Sequence, residues 1–210
     1  GASGAIWGAK TTSYHLDRYS GTTDALAVDK IWYTFPLGME GWTATVAPKI
    51  ENYYMLAATP SIYKPGVLKA FKLGGHSAVN GASTDGGAGV KYVNDNGFAF
   101  ASNFVSKGSK TTAGIFTKEA KGKWDTQVAY TKPSYHVSLT YSDQQNCWNS
   151  YSYYATSDAA TKAATADSTA YMLRAYWRPE NAGTATPEIS AGYDVPVSYT
   201  HLTLPTKPKV

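Results

Sequence analysis

The stretch Trp124–Asp143, WDTQVAYTKPSYHVSLTYSD, alternates strictly on both sides of Lys132-Pro133-Ser134. One set of alternate positions holds Trp124, Thr126, Val128 and Tyr130, then Tyr135, Val137, Leu139 and Tyr141. The other holds Asp125, Gln127, Ala129 and Thr131, then His136, Ser138, Thr140 and Ser142. A period of two across a tight turn predicts a β-hairpin with one greasy and one polar face. The greasy face must meet either a protein core or lipid, and the rest of the chain bears on which.

Composition narrows the class. The chain has 210 residues, 43% hydrophobic, with 14% aromatic residues that include 17 Tyr. Charged residues make up only 16%, below the usual ~25%. A Tyr-rich, Gly-rich, charge-poor chain suits an extracytoplasmic β protein rather than a cytosolic helical enzyme. No apolar run approaches the ~18 residues of a transmembrane helix, so any membrane is crossed by strands. The single cysteine, Cys147, has no internal disulfide partner and no zinc-type spacing around it. A formal charge of +4, scattered along the chain, does not point to nucleic acid.

Eight strands follow from the same alternation: Leu26–Phe35, Trp42–Ile50, Ala88–Asn94, Phe98–Val105, Lys123–Thr131, Tyr135–Ser142, Ser168–Arg178 and Glu188–Val195. Several have the roughly nine to eleven residues that a tilted strand needs to cross a bilayer. Pro36–Gly41, Asp95–Gly97 and Lys132–Ser134 are short connections, and Pro179–Pro187 is moderately short. Glu51–Gly87, Ser106–Gly122 and Asp143–Asp167 are long. Short and long alternate, so a meander would place tight turns at one end and long loops at the other, as outer-membrane barrels do.

The aromatic positions agree. Tyr33, Phe35, Trp42, Tyr92, Phe98, Tyr130, Tyr135 and Trp177 cluster at the short-turn ends, and Phe104, Tyr141, Tyr171 and Tyr193 near the far ends. Between them lie Val46, Val128, Leu139, Leu173 and Ala191. Interfacial girdles have this form, whereas a soluble core gathers its rings at mid-strand. The other parity carries Lys30, Thr43, Thr45, Lys49, Lys91, Gln127, Ser138, Thr140, Arg174, Tyr176, Arg178, Ser190 and Asp194. The expectation is an all-β fold: part of an antiparallel transmembrane β-barrel with a lipid-facing greasy side and a water-filled polar side.

The ends read differently from the middle. Pro196–Thr206, PVSYTHLTLPT, matches an in-frame translation of a transposon-type sequencing adapter. The expected organisation is therefore a partial barrel domain over 1–196 and a non-native tail over 197–210. Without Lys207 and Lys209 the balance is 17 basic against 15 acidic residues.

The motifs DKIWYTFPLG, MLAATPSIY, GAGVKYVNDNGFAFASNFVS, YMLRAYWRPE and EISAGYDV occur in that order between Ala27 and Val195. On these the chain resembles the cyanobacterial outer-membrane porins, described as iron-uptake porins and related to the carbohydrate-selective porins. The resemblance implies a barrel of roughly sixteen strands, of which this chain supplies about eight. It also implies a homotrimer in outer-membrane lipid and attachment to the cell wall through an N-terminal domain that this chain lacks. The function implied is passive diffusion of small hydrophilic solutes and inorganic ions, with iron resting on the family's name, since no iron-ligand cluster appears.

A channel needs no catalyst and no cofactor; its selectivity comes from lumen charge and inward loops. The pore-lining candidates are Lys30, Lys49, Lys91, Gln127, Arg174, Tyr176, Arg178 and Asp194. Lys49, Arg174 and Arg178 would favour anions in a lumen, or sit at the rim near headgroups. Lys64, Lys69 and Lys72, in YKPGVLKAFKLGG, mark either a constriction loop or an exposed outer loop. Hydrolase, zinc-protease and phosphate-loop motifs are missing, and His15, His76 and His136 lack metal-ligand spacing, so no enzymatic activity is expected. The alternative is a soluble or surface-exposed all-β binding or adhesion protein.

Overall fold

The computed structural model describes residues 2–3, 27–28, 30–58, 85–106, 114, 117, 120–145, 167–180, 186 and 189–198. Its main feature is one eight-stranded antiparallel sheet. The strands are β3 (Ile31–Pro36), β4 (Trp42–Ile50), β5 (Asp85–Val93), β6 (Phe98–Ser106), β7 (Gly122–Lys132), β8 (Tyr135–Gln144), β9 (Ser168–Trp177) and β10 (Ile189–Ser198), paired in strict chain order. A separate two-stranded sheet joins β1 (Ala2–Ser3) to β2 (Ala27–Val28). The fold is all-β, and one turn of 3-10 helix at Asn52–Met55 follows β4.

Turn chemistry fixes the register. Between β5 and β6, the Asn94 side chain accepts from the Asn96 amide and the Asn96 side chain accepts from the Phe98 amide. Gly97 takes φ +97, a left-handed value that glycine adopts without steric penalty. The Pro133-Ser134 turn brings Lys132 opposite Tyr135, and the β7–β8 ladder then runs unbroken to Lys123 opposite Gln144. That one-to-one register keeps Val128, Leu139 and Leu173 together on one face, and Gln127, Thr140 and Met172 on the other.

Burial is inverted relative to an ordinary globular sheet. The apolar set is bare: Val128 is 45%, Leu139 50% and Leu173 47% exposed. The polar set is covered: Gln127 is 0%, Asn103 1%, Arg174 1% and His136 2% exposed. A sheet that packs on a core puts its apolar alternates inside; this one puts them outside.

The bare face is banded. Towards the short turns, Trp42 contacts Tyr92 at 5.2 Å, Tyr92 contacts Phe98 at 6.4 Å, and Tyr130 contacts Tyr135 at 6.2 Å. Towards the long connections, Phe104 pairs with Trp124 at 5.8 Å and Tyr141 with Tyr171 at 5.3 Å. Trp124 and Tyr130 lie six residues apart on β7, a separation of roughly 20 Å at the rise of a strand. Among the described residues, no helix is long and apolar enough to cross a membrane.

Most strand boundaries lie within three residues of the sequence reading. Two differences matter. The expected first strand, Leu26–Phe35, is divided into β2 and β3: a register shift falls between Ile31 and Tyr33, and Lys30 turns to the buried side. The expected strand Ser168–Arg178 stops at Trp177, so Arg178 leaves the ladder and is exposed. Its amide is bonded instead to the Ser134 carbonyl at 2.7 Å, across the neighbouring turn. At the other end, β10 continues to Ser198, pairing Val197 with Thr169 and Ser198 with Ser168.

Candidate functional site

The buried face is built in rungs, each crossing several strands. One rung runs Thr43, Lys91, Ala101, Gln127, Thr140, Met172, Asp194. It brings together three candidates chosen from sequence: Lys91, Gln127 and Asp194. Arg174 lies one rung nearer the short turns, opposite Ser138. Tyr176 lies one rung further, opposite His136, and the two rings stack at 5.0 Å and 12°.

The charges on this face are mostly paired. Arg174 meets Asp194 diagonally across β9 and β10. Lys123 Nζ lies 3.4 Å from Asp125, and Lys30 Nζ lies 3.6 Å from Glu51. Each pair has its partner close by because an uncompensated buried charge is costly, several kcal/mol or more. Lys49, turned off this face by the register shift before Ile50, donates to the Val28 carbonyl at 2.7 Å. Among the described residues, Lys49 and Lys91 carry no carboxylate partner. The field of the face is therefore weaker than a count of its basic residues suggests.

Neutral groups fill the intervals. His136 lies between two hydroxyls, with Nδ1 2.7 Å from Thr131 and Nε2 2.9 Å from Ser138. Gly89 gives room for Asn103, since a Cβ at Gly89 would sit 2.5 Å from the Asn103 Cβ.

The chain after β4 does not leave the sheet. Residues 51–58 run back across its buried face, over β5 and β6 to β7. Ile50 and Met55 pack with Ala47 and Val105 in a small apolar cluster. Asn52 donates from Nδ2 to Asn103 Oδ1 at 2.8 Å and to the Lys123 carbonyl at 3.0 Å. The Gln127 amide closes a two-way contact with Ala58: the Ala58 amide donates to Oε1 at 3.0 Å, and Nε2 donates to the Ala58 carbonyl at 3.2 Å. Tyr53 and Tyr54 stack at 4.5 Å, Tyr54 meets Trp32 at 5.4 Å, and Lys30 Nζ lies 5.3 Å from the Tyr54 ring centroid. Burial, with hydrogen bonds to Glu51 and Tyr54, pushes the Tyr53 phenol well above its ordinary range, so it stays neutral.

Sequence reasoning identified Lys30, Lys49, Lys91, Gln127, Arg174, Tyr176 and Asp194 by strand parity. Lys91, Gln127, Arg174, Tyr176 and Asp194 share the rungs of the buried face. Lys30, between β2 and β3, is buried beside Glu51. Lys49 is turned off that face by the register shift before Ile50 and lies opposite the exposed Ile31. Arg178 sits beyond the strand, at the rim of the short-turn end. Lys64, Lys69 and Lys72 lie outside the described residues. Asn103 and Lys123 went unremarked, although parity with Ala101 and Asp125 points to both. Asn52 carries no such signal, because it follows the end of a strand and reaches its partners only through the fold. No protein-family model, curated protein or solved structure matches the chain.

Proposed function

We propose that this sheet is the wall of an outer-membrane channel through which small hydrophilic solutes and ions diffuse. The observation that carries the reading is the inverted burial. An exposed apolar face is a poor surface in water, but it is what hydrocarbon requires of a strand's outward side. The opposite face supplies paired ions, amides and hydroxyls, groups that line a hydrated passage without holding one solute tightly. Aromatic pairs at both ends of an apolar band roughly 20 Å long fit the two interfaces of a bilayer, given that such bands are about 25 Å tall.

The motif resemblance to cyanobacterial porins supports the same reading, with outer-membrane lipid as the surroundings and a homotrimer as the assembly. Diffusion needs neither catalyst nor cofactor. Inorganic ions, iron among them, and sugars are the solute classes that the resemblance offers.

The test is to fold the full-length barrel protein that carries this sheet into lipid, so that the edges of β3 and β10 are paired, and to record from a planar bilayer under a salt gradient. Stepwise conductance, together with partition into detergent or lipid, is the expected result. A chain that stays monodisperse in water without detergent and leaves the bilayer silent would overturn the reading in favour of a soluble binding protein.

A further inference from the structure

We propose that Glu51–Ala58 is a releasable strap on the buried face, and that Gln127 is the positioning residue that holds it down. This rests on the channel reading and adds what sets the width of the passage.

The strap is tethered at both ends of its path. Its root is fixed by Ile50 and Met55 in the apolar cluster with Val105. Its far end is held by the primary amide of Gln127, which both accepts from and donates to the Ala58 backbone. No other side-chain type of that length offers a neutral donor and acceptor side by side. Gln127 is 0% exposed and lies on β7, three strands from the strap's origin on β4. The contact therefore spans the wall rather than closing a local turn.

Beneath the strap the fit is incomplete. Asn52 Oδ1 and Asn103 Nδ2 are buried and lack hydrogen-bond partners within the protein. Such groups are penalised while dry and relieved when water reaches them. Lifting the strap would hydrate both, which offsets part of what the Asn52 and Gln127 contacts contribute. A strap held by a narrow balance is one that a single contact can tip. Because it lies against the wall, its position sets how much of the polar face solutes meet.

Two variants and two readouts test this. In Gln127→Ala both contacts to Ala58 are lost. In Gln127→Glu the side-chain length and the acceptor are kept, and burial without a counter-charge favours the neutral acid, whose single O–H replaces the amide donor only in part. Hydrogen–deuterium exchange of the full-length barrel protein in lipid reads strap seating without reference to conductance. Loss of the clamp should speed exchange over residues 52–58 by about fivefold or more, the factor for roughly 1 kcal/mol. Single-channel recording reads the consequence: a higher main level, or added switching to a higher level, in Gln127→Ala, with Gln127→Glu between it and the parent. Unchanged exchange in both variants would overturn the clamp. Faster exchange with parent-like conductance would overturn the link to passage width. If the unmodified full-length barrel protein itself shows no conductance, the channel reading fails, while the exchange result still decides whether Gln127 holds the strap.

Discussion

Gly97 shows how one residue sets a register on which the facing side chains of β5, β6 and β7 depend. Its amide donates to the Asn94 carbonyl at 3.0 Å, and its carbonyl accepts from the Thr131 amide at 2.8 Å, so it both closes its own turn and ties β6 to β7. With φ at +97 and the Thr131 carbonyl oxygen standing where a Cβ would go, alanine would be strained twice over. Gly97→Ala should lower stability by about 1–3 kcal/mol, read as an earlier urea-unfolding midpoint in lipid. Gly38 has a similar φ of +78 but open space around it. Alanine there should therefore bear the backbone penalty alone and cost less. Unequal losses in that direction would separate close approach from backbone strain.

At the scale of the strand, the alternation carries nearly all the information. Tyr135, Val137 and Leu139 could be placed on one face, and His136, Ser138 and Thr140 on the other, from the letters alone, because the side-chain period is two and the Pro133-Ser134 turn admits no slip. The register shifts at Ile31/Tyr33 and Ala47/Ile50 were not legible. Bulges arise where tertiary partners pull a residue across, as the Glu51 pair does for Lys30 and the Met55 cluster does for Ile50. The strap lies in Glu51–Gly87, a connection that the sequence leaves open between a constriction loop and an exposed outer loop. Its inward path depends on Gln127 and Asn103, which lie far along the chain, and no local pattern encodes such a meeting. What the alternation leaves undecided is the medium around the bare face, and Leu139 tests it. Leu139→Arg at the middle of a lipid-facing band should cost ~2–4 kcal/mol, measured by urea unfolding in vesicles. On a water-facing sheet the same change should stay within about 0.5 kcal/mol. Asp143→Arg, on the same face but beyond the band, should be tolerated in either medium.

Across the whole molecule, charge pairing decides what preference a passage along the buried face would have. Counting basic side chains, with Lys49, Arg174 and Arg178 foremost, leads to an expectation of anion selectivity. The fold changes the count. Arg178 sits at the rim, Arg174 is paired with Asp194, and Lys123 and Lys30 are paired with Asp125 and Glu51. A closely held ion pair presents a dipole rather than a charge to a passing ion, and at physiological salt its field is screened beyond about 8 Å. The Arg174–Asp194 pair should therefore contribute almost nothing to selectivity while intact and a full charge once broken. Arg174→Gln removes the cation from the pair and should move the reversal potential under a salt gradient towards cations. Asp194→Asn removes the anion from the pair and should move it towards anions. The double variant should return close to the parent value, although each single change alters a residue of the same wall. A sum of two independent shifts would give a similar reversal potential only if they happened to cancel, so stability supplies the second reading. Each single variant should unfold earlier, because it strands a largely buried charge, and the double variant should recover most of that loss. If the single variants leave the potential where it was, the face carrying Arg174 and Asp194 is not the one that ions cross.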